Sequence, residues 1–133
     1  MKLRIRGNTI RLRLKRGEVD RIAAGTSVAE ETRFPDSILA YSLEVSGNSD
    51  ISARFDDGSL VVSLPKSKLM AWARSDEVSL IADQKLPGSG SLSLLIEKDF
   101  KCLEPGHHRD CDDDEDTFPH PSAQTKINYR HPR

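Results

Sequence analysis

Two short stretches of the chain, fifty residues apart, carry the same alternating pattern around a two-residue turn. Residues 2–6 and 9–15 alternate polar, mostly cationic, side chains with aliphatic ones on either side of Gly7-Asn8. The stretch "ARFDDGSLVVSL" repeats the apolar positions around Asp57-Gly58. Successive side chains of a strand point to opposite faces, and glycine, asparagine and aspartate tolerate the positive φ of tight turns. Each stretch therefore predicts a β-hairpin.

The repeat continues beyond the hairpin. "KRGEVDRIAAG" has apolar residues at helical spacing and ends at Gly25, which predicts a helix over residues 16–24. "SVAEETRF" and "ILAYSLEV" then read as two further strands. Overlaying residue i on i+50 aligns turn, strand, apolar helix face and next strand, and pairs Val19 with Leu69, Ile22 with Trp72 and Val28 with Val78. After "KLPGSG" the register slips by one, so that "LSLLIEKDF" falls on "YSLEVSG".

Each unit is therefore strand, strand, helix, strand, strand. Two units, 1–50 and 51–103, predict a single α+β domain over residues 1–103, with about eight mostly antiparallel strands and two short helices. Such strands form a barrel or a barrel-like sandwich, which removes or protects exposed edges. Residues 104–133 are rich in Asp, His and Pro, lack periodicity, and predict an irregular C-terminal tail.

Two resemblances extend this interpretation. The segments "MKLRIRGNTIRLRL", "LIEKDFKCL" and "EDTFPHP" resemble a family of small bacterial proteins with no assigned activity. In topology, the duplicated unit is similar to the barrel of the triphosphate tunnel (CYTH-like) enzymes. In that family, alternating glutamates and a lysine of the first strand hold a divalent metal and phosphate inside the tunnel. The corresponding positions of this chain are Lys2, Arg4 and Arg6, so the metal-binding carboxylates are missing.

The charge is distributed unevenly along the chain. The net charge is −1, yet the start is strongly basic and residues 110–116 are strongly acidic. We find no run of 18 apolar residues and no apolar core of a secretory signal, which predicts a cytoplasmic protein without a membrane partner. Aromatic residues make up 5% and none is interleaved with the arginines, which disfavours nucleic acid as a partner.

The arginines of the first hairpin are the first candidate site. Guanidinium groups two residues apart on adjacent strands can form an anion-binding surface for phosphate or carboxylate groups. The alternative is that this face of the hairpin is simply solvated. The candidate anion-binding residues are Arg4, Arg6, Arg11 and Arg13.

"CLEPGHHRDC" is the second candidate site. Two thiolates and two imidazoles suit tetrahedral zinc, but this spacing matches none of the usual zinc modules. The alternative is a polar tail with incidental Cys and His. The candidate metal ligands are Cys102, His107, His108 and Cys111.

The acidic run "DCDDDEDTF" is usually a solvated segment. A sharper hypothesis is that it folds back onto the arginines, in its own chain or in a homodimer, since tethered opposite charges meet at high effective concentration. All four histidines lie in the tail, and we find neither a nucleophile elbow nor a glycine-rich phosphate loop, which favours a non-enzymatic binding or interaction module. The alternative is a divergent CYTH-like barrel that binds or hydrolyses a phosphate ester, nucleotide or polyphosphate.

Overall fold

A computed structural model describes residues 1–100 and 116–119. Its elements follow the order strand, strand, helix, strand, strand twice, which confirms the predicted α+β class. They are β1 (Lys2–Arg6), β2 (Thr9–Leu14), α1 (Arg16–Ala23), β3 (Val28–Arg33), β4 (Ile38–Ser46), β5 (Ser52–Asp56), β6 (Ser59–Pro65), α2 (Lys66–Ala73), β7 (Ser79–Lys85) and β8 (Ser91–Lys98). In this described part of the chain, neither helix has the length and apolarity needed to cross a membrane.

The strands form two four-stranded sheets that exchange hairpins between the units. Sheet A has the order β1-β2-β8-β7, and sheet B, taken in the equivalent direction, has the order β5-β6-β4-β3. The outer pairs of each sheet are antiparallel hairpins. The central pairs, β2 with β8 and β4 with β6, are parallel. Each sheet therefore contains one hairpin from each unit.

The strand register corrects the simple fifty-residue overlay. Leu12 and Val62 are equivalent positions of the two units. Leu12 lies opposite Ile96, and Val62 lies opposite Leu43. Leu43 therefore corresponds to Ile96, at an offset of 53 residues instead of the 51 predicted from the sequence overlay. Val28 pairs with Leu43 and Leu80 pairs with Ile96, so the counterpart of Val28 is Leu80. The predicted counterpart, Val78, is instead exposed. Compared with the first unit, the second unit has two additional residues before β7 and one in the β7–β8 loop, which account for the larger offset.

A single apolar core fills the space between the inner faces of the sheets and the two helices. Leu12 and Ile96 of sheet A, Leu43 of sheet B, and Ile22 and Trp72 of the helices are at most 1% exposed. Burying large aliphatic and aromatic side chains in this way is the main favourable contribution to folding. The described strands form a barrel-like sandwich and no closed barrel.

Polar contacts connect the edges of the two sheets. Beside β1, the amino group of Met1 lies 2.5 Å from Glu18 Oε2 and 2.6 Å from Glu30 Oε2 of β3. Beside β5, the backbone N–H of Ala53 donates a hydrogen bond of 2.7 Å to Gln84 Oε1 of β7. These contacts satisfy polar groups of edge strands, whose hydrogen-bonding positions are otherwise unpaired.

One glycine in each hairpin turn, Gly7 at the first position and Gly58 at the second, provides a test of backbone strain. Gly7 and Gly58 both adopt left-handed φ, of 54° and 77°. A Cβ at Gly7 meets nothing within 4 Å, whereas one at Gly58 would lie 2.9 Å from the carbonyl oxygen of Ile38. We expect Gly7→Ala to lower the free energy of unfolding by about 1 kcal/mol, and Gly58→Ala by about 2–3 kcal/mol. Urea denaturation of both variants measures the difference, and equal losses would contradict this explanation.

Candidate anion-binding surface

The four candidate arginines lie together on the outer face of sheet A. Their strand neighbours Ile10 and Leu12 face the core, so alternation directs the arginines outward. The antiparallel register places Arg4 directly opposite Arg11 and Lys2 directly opposite Arg13. We call Arg4, Arg6, Arg11 and Arg13 the arginine face. The hairpin predicted from the sequence thus brings these residues together.

Two shallow depressions adjoin one another on this surface. The first, of about 250 Å³, is lined by Lys2, Leu3, Arg4, Arg11 and Arg13. The second, of about 270 Å³, is lined by Arg4, Arg6, Thr9, Arg11 and Leu95. Arg4 and Arg11 line both depressions.

Glu97 of β8 orients one side of the arginine face. Its Oε1 atom lies 3.1 Å from Arg11 Nε and 2.6 Å from Arg13 Nε. The Glu97 side chain is 12% exposed, so its charge is less screened than that of a fully solvated carboxylate. Lys2 Nζ lies 3.3 Å from Asp99 Oδ2, which is buried. These contacts hold the cationic side chains in defined positions.

Sheet B shows which of these features belong to the repeated scaffold. Glu44 occupies the position of Glu97 and lies 3.4 Å from Arg54 Nη1, and it accepts a hydrogen bond of 3.2 Å from Ser63 Oγ. Arg54 corresponds to Arg4, but the counterparts of the other three arginines are Asp56, Val61 and Ser63. The carboxylate is thus common to both sheets, whereas the dense arginine face is specific to sheet A.

The arrangement differs from that of a triphosphate tunnel. Leu12, Leu94 and Ile96 occupy the inner face of sheet A and are at most 1% exposed, so the interior is packed with apolar side chains. The alternate positions of β1, Lys2, Arg4 and Arg6, lie on the outer face instead. Within residues 1–100 and 116–119, His, Cys, Asp and Glu form no group of three able to hold a metal ion.

The second candidate site lies outside the described residues. This holds for all four predicted zinc ligands, Cys102, His107, His108 and Cys111, which remain a prediction. Of the acidic run, the structure describes Asp116, which lies at the N-terminus of α1. Contact between the remaining acidic residues and the arginine face also stays a prediction.

Asp116 and Phe118 form a cluster that sequence reasoning missed. The backbone carbonyl of Asp116 accepts a hydrogen bond of 2.8 Å from Arg16 N, and its Oδ2 accepts one of 3.2 Å from Gly17 N. The Phe118 ring centroid lies 5.4 Å from Arg16 Cζ and 5.5 Å from Lys98 Nζ. Cations at this distance from an aromatic face are attracted by its quadrupole.

Lys98 is the unexpected member of this cluster. It continues the inward series Leu92, Leu94, Ile96 of β8, where an apolar residue is expected, and only 6% of it is exposed. Its Nζ donates a hydrogen bond of 2.7 Å to the carbonyl of Ser75 and lies 5.7 Å from the Trp72 ring centroid. Burial lowers the pKa of Lys98, although Asp76 and Glu77 oppose this effect. A lysine at an apolar position of the alternation is the sequence signal that could have identified it.

The shifted pKa values of Lys98 and Tyr41 predict opposite changes in the free energy of unfolding at alkaline pH. Burial, with smaller contributions from Glu30 and Glu18, raises the pKa of Tyr41 above 10.0, so the unfolded state releases this proton first and stability falls above that pH. The pKa of Lys98 lies below 10.5, so the folded state releases its proton first and stability rises with pH toward 10.5.

Single substitutions separate the two effects. Urea denaturation from pH 8 to pH 11 measures the free energy of unfolding of each variant. We expect Lys98→Met to remove the rise of this free energy with pH, and Tyr41→Phe to remove its fall. Lys68→Met, which changes an exposed lysine of α2, is the control for loss of a charge. A Lys98→Met curve parallel to that of the wild type would contradict the role of burial.

Comparison with known proteins gives a family without a known activity. No curated protein and no solved structure matches the chain, so the resemblance to the triphosphate tunnel barrel has no support from a structural neighbour. A family model described as "Family of unknown function (DUF7009)" matches residues 1–122. This match covers most of the chain, including β1–β8 and the Asp116–Phe118 cluster, and it confirms the resemblance noted in the sequence. The chain therefore belongs to the DUF7009 family, whose function is unknown.

Proposed function

We propose that the chain is a binding module that holds a small anion with several linked phosphate groups on the outer face of sheet A. The ligands are the guanidinium groups of Arg4, Arg6, Arg11 and Arg13. Two adjoining depressions that share Arg4 and Arg11 suit neighbouring charged groups of one molecule better than a single isolated anion.

The observation that carries this proposal is the placement of like charges opposite one another. Arg4 faces Arg11 and Lys2 faces Arg13 across the hairpin. Like charges at directly opposed positions destabilise an antiparallel pair. The corresponding pairs of sheet B, Arg54 with Val61 and Ser52 with Ser63, avoid this repulsion with the same backbone register. The scaffold therefore does not require the arginines, and a bound anion would add to the neutralisation that Glu97 and Asp99 provide.

Arginine chemistry favours binding over catalysis at this surface. The guanidinium group remains protonated at physiological pH and presents its N–H donors in a planar fork that matches phosphate geometry. It therefore cannot act there as a general base. Glu97 approaches Nε of both Arg11 and Arg13, and so fixes the two groups beside one another before a ligand arrives. Such preorganisation reduces the conformational entropy that binding would otherwise cost.

Calorimetric titration with inorganic triphosphate tests the proposal. At low ionic strength we expect saturable binding that weakens as salt is added, because exposed charges are screened. The double variant Arg4→Ala/Arg11→Ala should weaken binding at least tenfold, since both residues line both depressions. Arg54→Ala removes the corresponding arginine of sheet B and should change the affinity by less than twofold. Absence of triphosphate binding to the wild type, or equal losses in both variants, would overturn the proposal.

Substitution of Glu97 tests the proposal through an expected gain of triphosphate affinity, whereas substitution of the arginines should cause a loss. Glu97→Gln keeps a side-chain oxygen that can accept hydrogen bonds from Arg11 and Arg13, and so preserves their orientation, but it removes the negative charge that opposes an incoming anion. We therefore expect triphosphate affinity to rise about threefold or more at low salt. Stability should fall by about 1 kcal/mol, as expected when a partly buried pair loses its charge. Glu44→Gln makes the equivalent change in sheet B and should leave triphosphate affinity unchanged. Weaker triphosphate binding by Glu97→Gln would contradict the assigned role of Glu97.

A further inference from the structure

A row of four paired residues crosses the outer face of sheet A from one edge to the other. In order from β1 to β7, the row consists of Arg4, Arg11, Leu95 and Ile81. We call Leu95 and Ile81 the apolar pair. We propose that the anion held by the arginine face is a phosphate ester whose aliphatic chain, of about six carbons, lies across the apolar pair. This inference rests on the proposed binding of linked phosphate groups, and it names the class of molecule that carries them.

The apolar pair points away from the core. Leu94 and Ile96, the neighbours of Leu95 along β8, are each 1% exposed and face inward, whereas Ile81 is 74% exposed. A single exposed aliphatic side chain is ordinary on a protein surface. Here two such side chains face one another on adjacent strands, in line with the two arginines of the row. The row therefore has a cationic half and an apolar half.

Sheet B contains the same row without the apolar pair. Its residues, in the equivalent order from β5 to β3, are Arg54, Val61, Ser42 and Ala29. Ser42 thus stands at the position of Leu95, and Ala29 stands at the position of Ile81. Contact between two aliphatic side chains across strands stabilises a hairpin, but sheet B forms the equivalent hairpin without this contact. The apolar pair is therefore specific to the sheet that carries the arginine face.

Two carboxylates determine which half of the row holds the phosphate groups. Along their strands, Glu97 lies two residues after Leu95 and Asp83 lies two residues after Ile81, so both carboxylates border the apolar pair on the outer face. Asp83 Oδ1 accepts a hydrogen bond of 2.9 Å from Ser93 Oγ. The negative charges of both carboxylates disfavour phosphate above the apolar pair. The ligand is therefore oriented with its phosphates over β1 and β2 and its uncharged part over β8 and β7.

The spacing of the strands sets the length of the uncharged part. Leu95 lines the second depression together with Arg4 and Arg11, so a phosphate in this depression lies directly beside the first residue of the apolar pair. Neighbouring strands of a sheet lie about 4.8 Å apart, which places Ile81 one such step beyond Leu95. A chain of about six carbons is long enough to cross both side chains.

The residue types favour an aliphatic chain over a nucleobase. Bases are commonly bound by stacking on aromatic side chains. Among the outward residues of the four strands described for sheet A, none is aromatic. Leucine and isoleucine instead bind by removing apolar surface from water, and each fully buried methylene group tightens binding by a factor of about four.

Calorimetric titration with triphosphate esters of equal charge tests the inference. Methyl triphosphate reports binding by the arginine face, and hexyl triphosphate adds the aliphatic chain. At the same low ionic strength, hexyl triphosphate should bind about tenfold more tightly or better, since two fully buried methylene groups already give this factor. Its heat-capacity change on binding should also be more negative, because apolar surface is buried. ATP carries a nucleoside in place of the chain, and its affinity should lie within about threefold of that of methyl triphosphate.

Substitutions that copy sheet B into sheet A identify the residues that contact the chain. The double variant Leu95→Ser/Ile81→Ala introduces the residue types of Ser42 and Ala29, which the same scaffold already accommodates. In this variant the affinity ratio of hexyl to methyl triphosphate should fall toward one. Ile81→Thr keeps a β-branched side chain and is the second variant should the double variant fold poorly; it should also lower the ratio. Ile38→Ser removes an exposed isoleucine of sheet B and should leave the ratio unchanged.

The outcomes separate this inference from the proposed function. Binding of methyl triphosphate without a gain for hexyl triphosphate would overturn the aliphatic chain and leave the phosphate site intact. A gain that persists when the apolar pair is substituted, or an equal gain for ATP, would also overturn the aliphatic chain. Absence of binding of both esters would overturn this inference and the proposed function together.

Discussion

The parallel pairing of β2 with β8 and of β4 with β6 is the constraint on which the rest of the structure depends. Each pair joins a strand of one unit to a strand of the other, so neither unit can complete a sheet alone. The central strands carry the most deeply buried aliphatic residues, such as Leu12, Leu43 and Ile96. Backbone hydrogen bonding between the units and burial of the shared core are therefore formed together, which makes folding of the two units mutually dependent.

Because each sheet contains one hairpin from each unit, the two sheets have similar outer faces that can present different side chains. Glu44 and Glu97 occupy corresponding positions on β4 and β8, and each contacts an arginine of its own sheet. The remaining outward positions are under weaker structural constraint, because they make no contribution to the apolar core. Sheet A uses this freedom for a dense cationic surface, whereas sheet B carries Val61 and Ser63 where sheet A has Arg11 and Arg13.

The local sequence pattern was sufficient to predict the strands and helices, and to predict that the four arginines lie together. A hairpin's register follows from its turn and its alternation, so Gly7-Asn8 brings Arg4 opposite Arg11. Long-range pairing does not follow from local pattern. The overlay therefore matched Val28 with exposed Val78 instead of Leu80, since only pairing with Ile96 identifies the correct residue. The contact between Asp116 and α1 was equally inaccessible, because it joins residues a hundred positions apart.

Lys98 is a position at which the two units differ, and it links this difference to the cluster of Asp116 and Phe118. Its counterpart in β4 is Val45, an apolar residue, as expected for an inward position next to the core. A buried ammonium costs desolvation energy unless it gains compensating partners. The Ser75 carbonyl and the rings of Trp72 and Phe118 provide that compensation, and one of these rings comes from residues 116–119. The docked segment thus stabilises the charge that helps to bind it, which explains why Lys98 and Phe118 occur on the same side of an otherwise repeated fold.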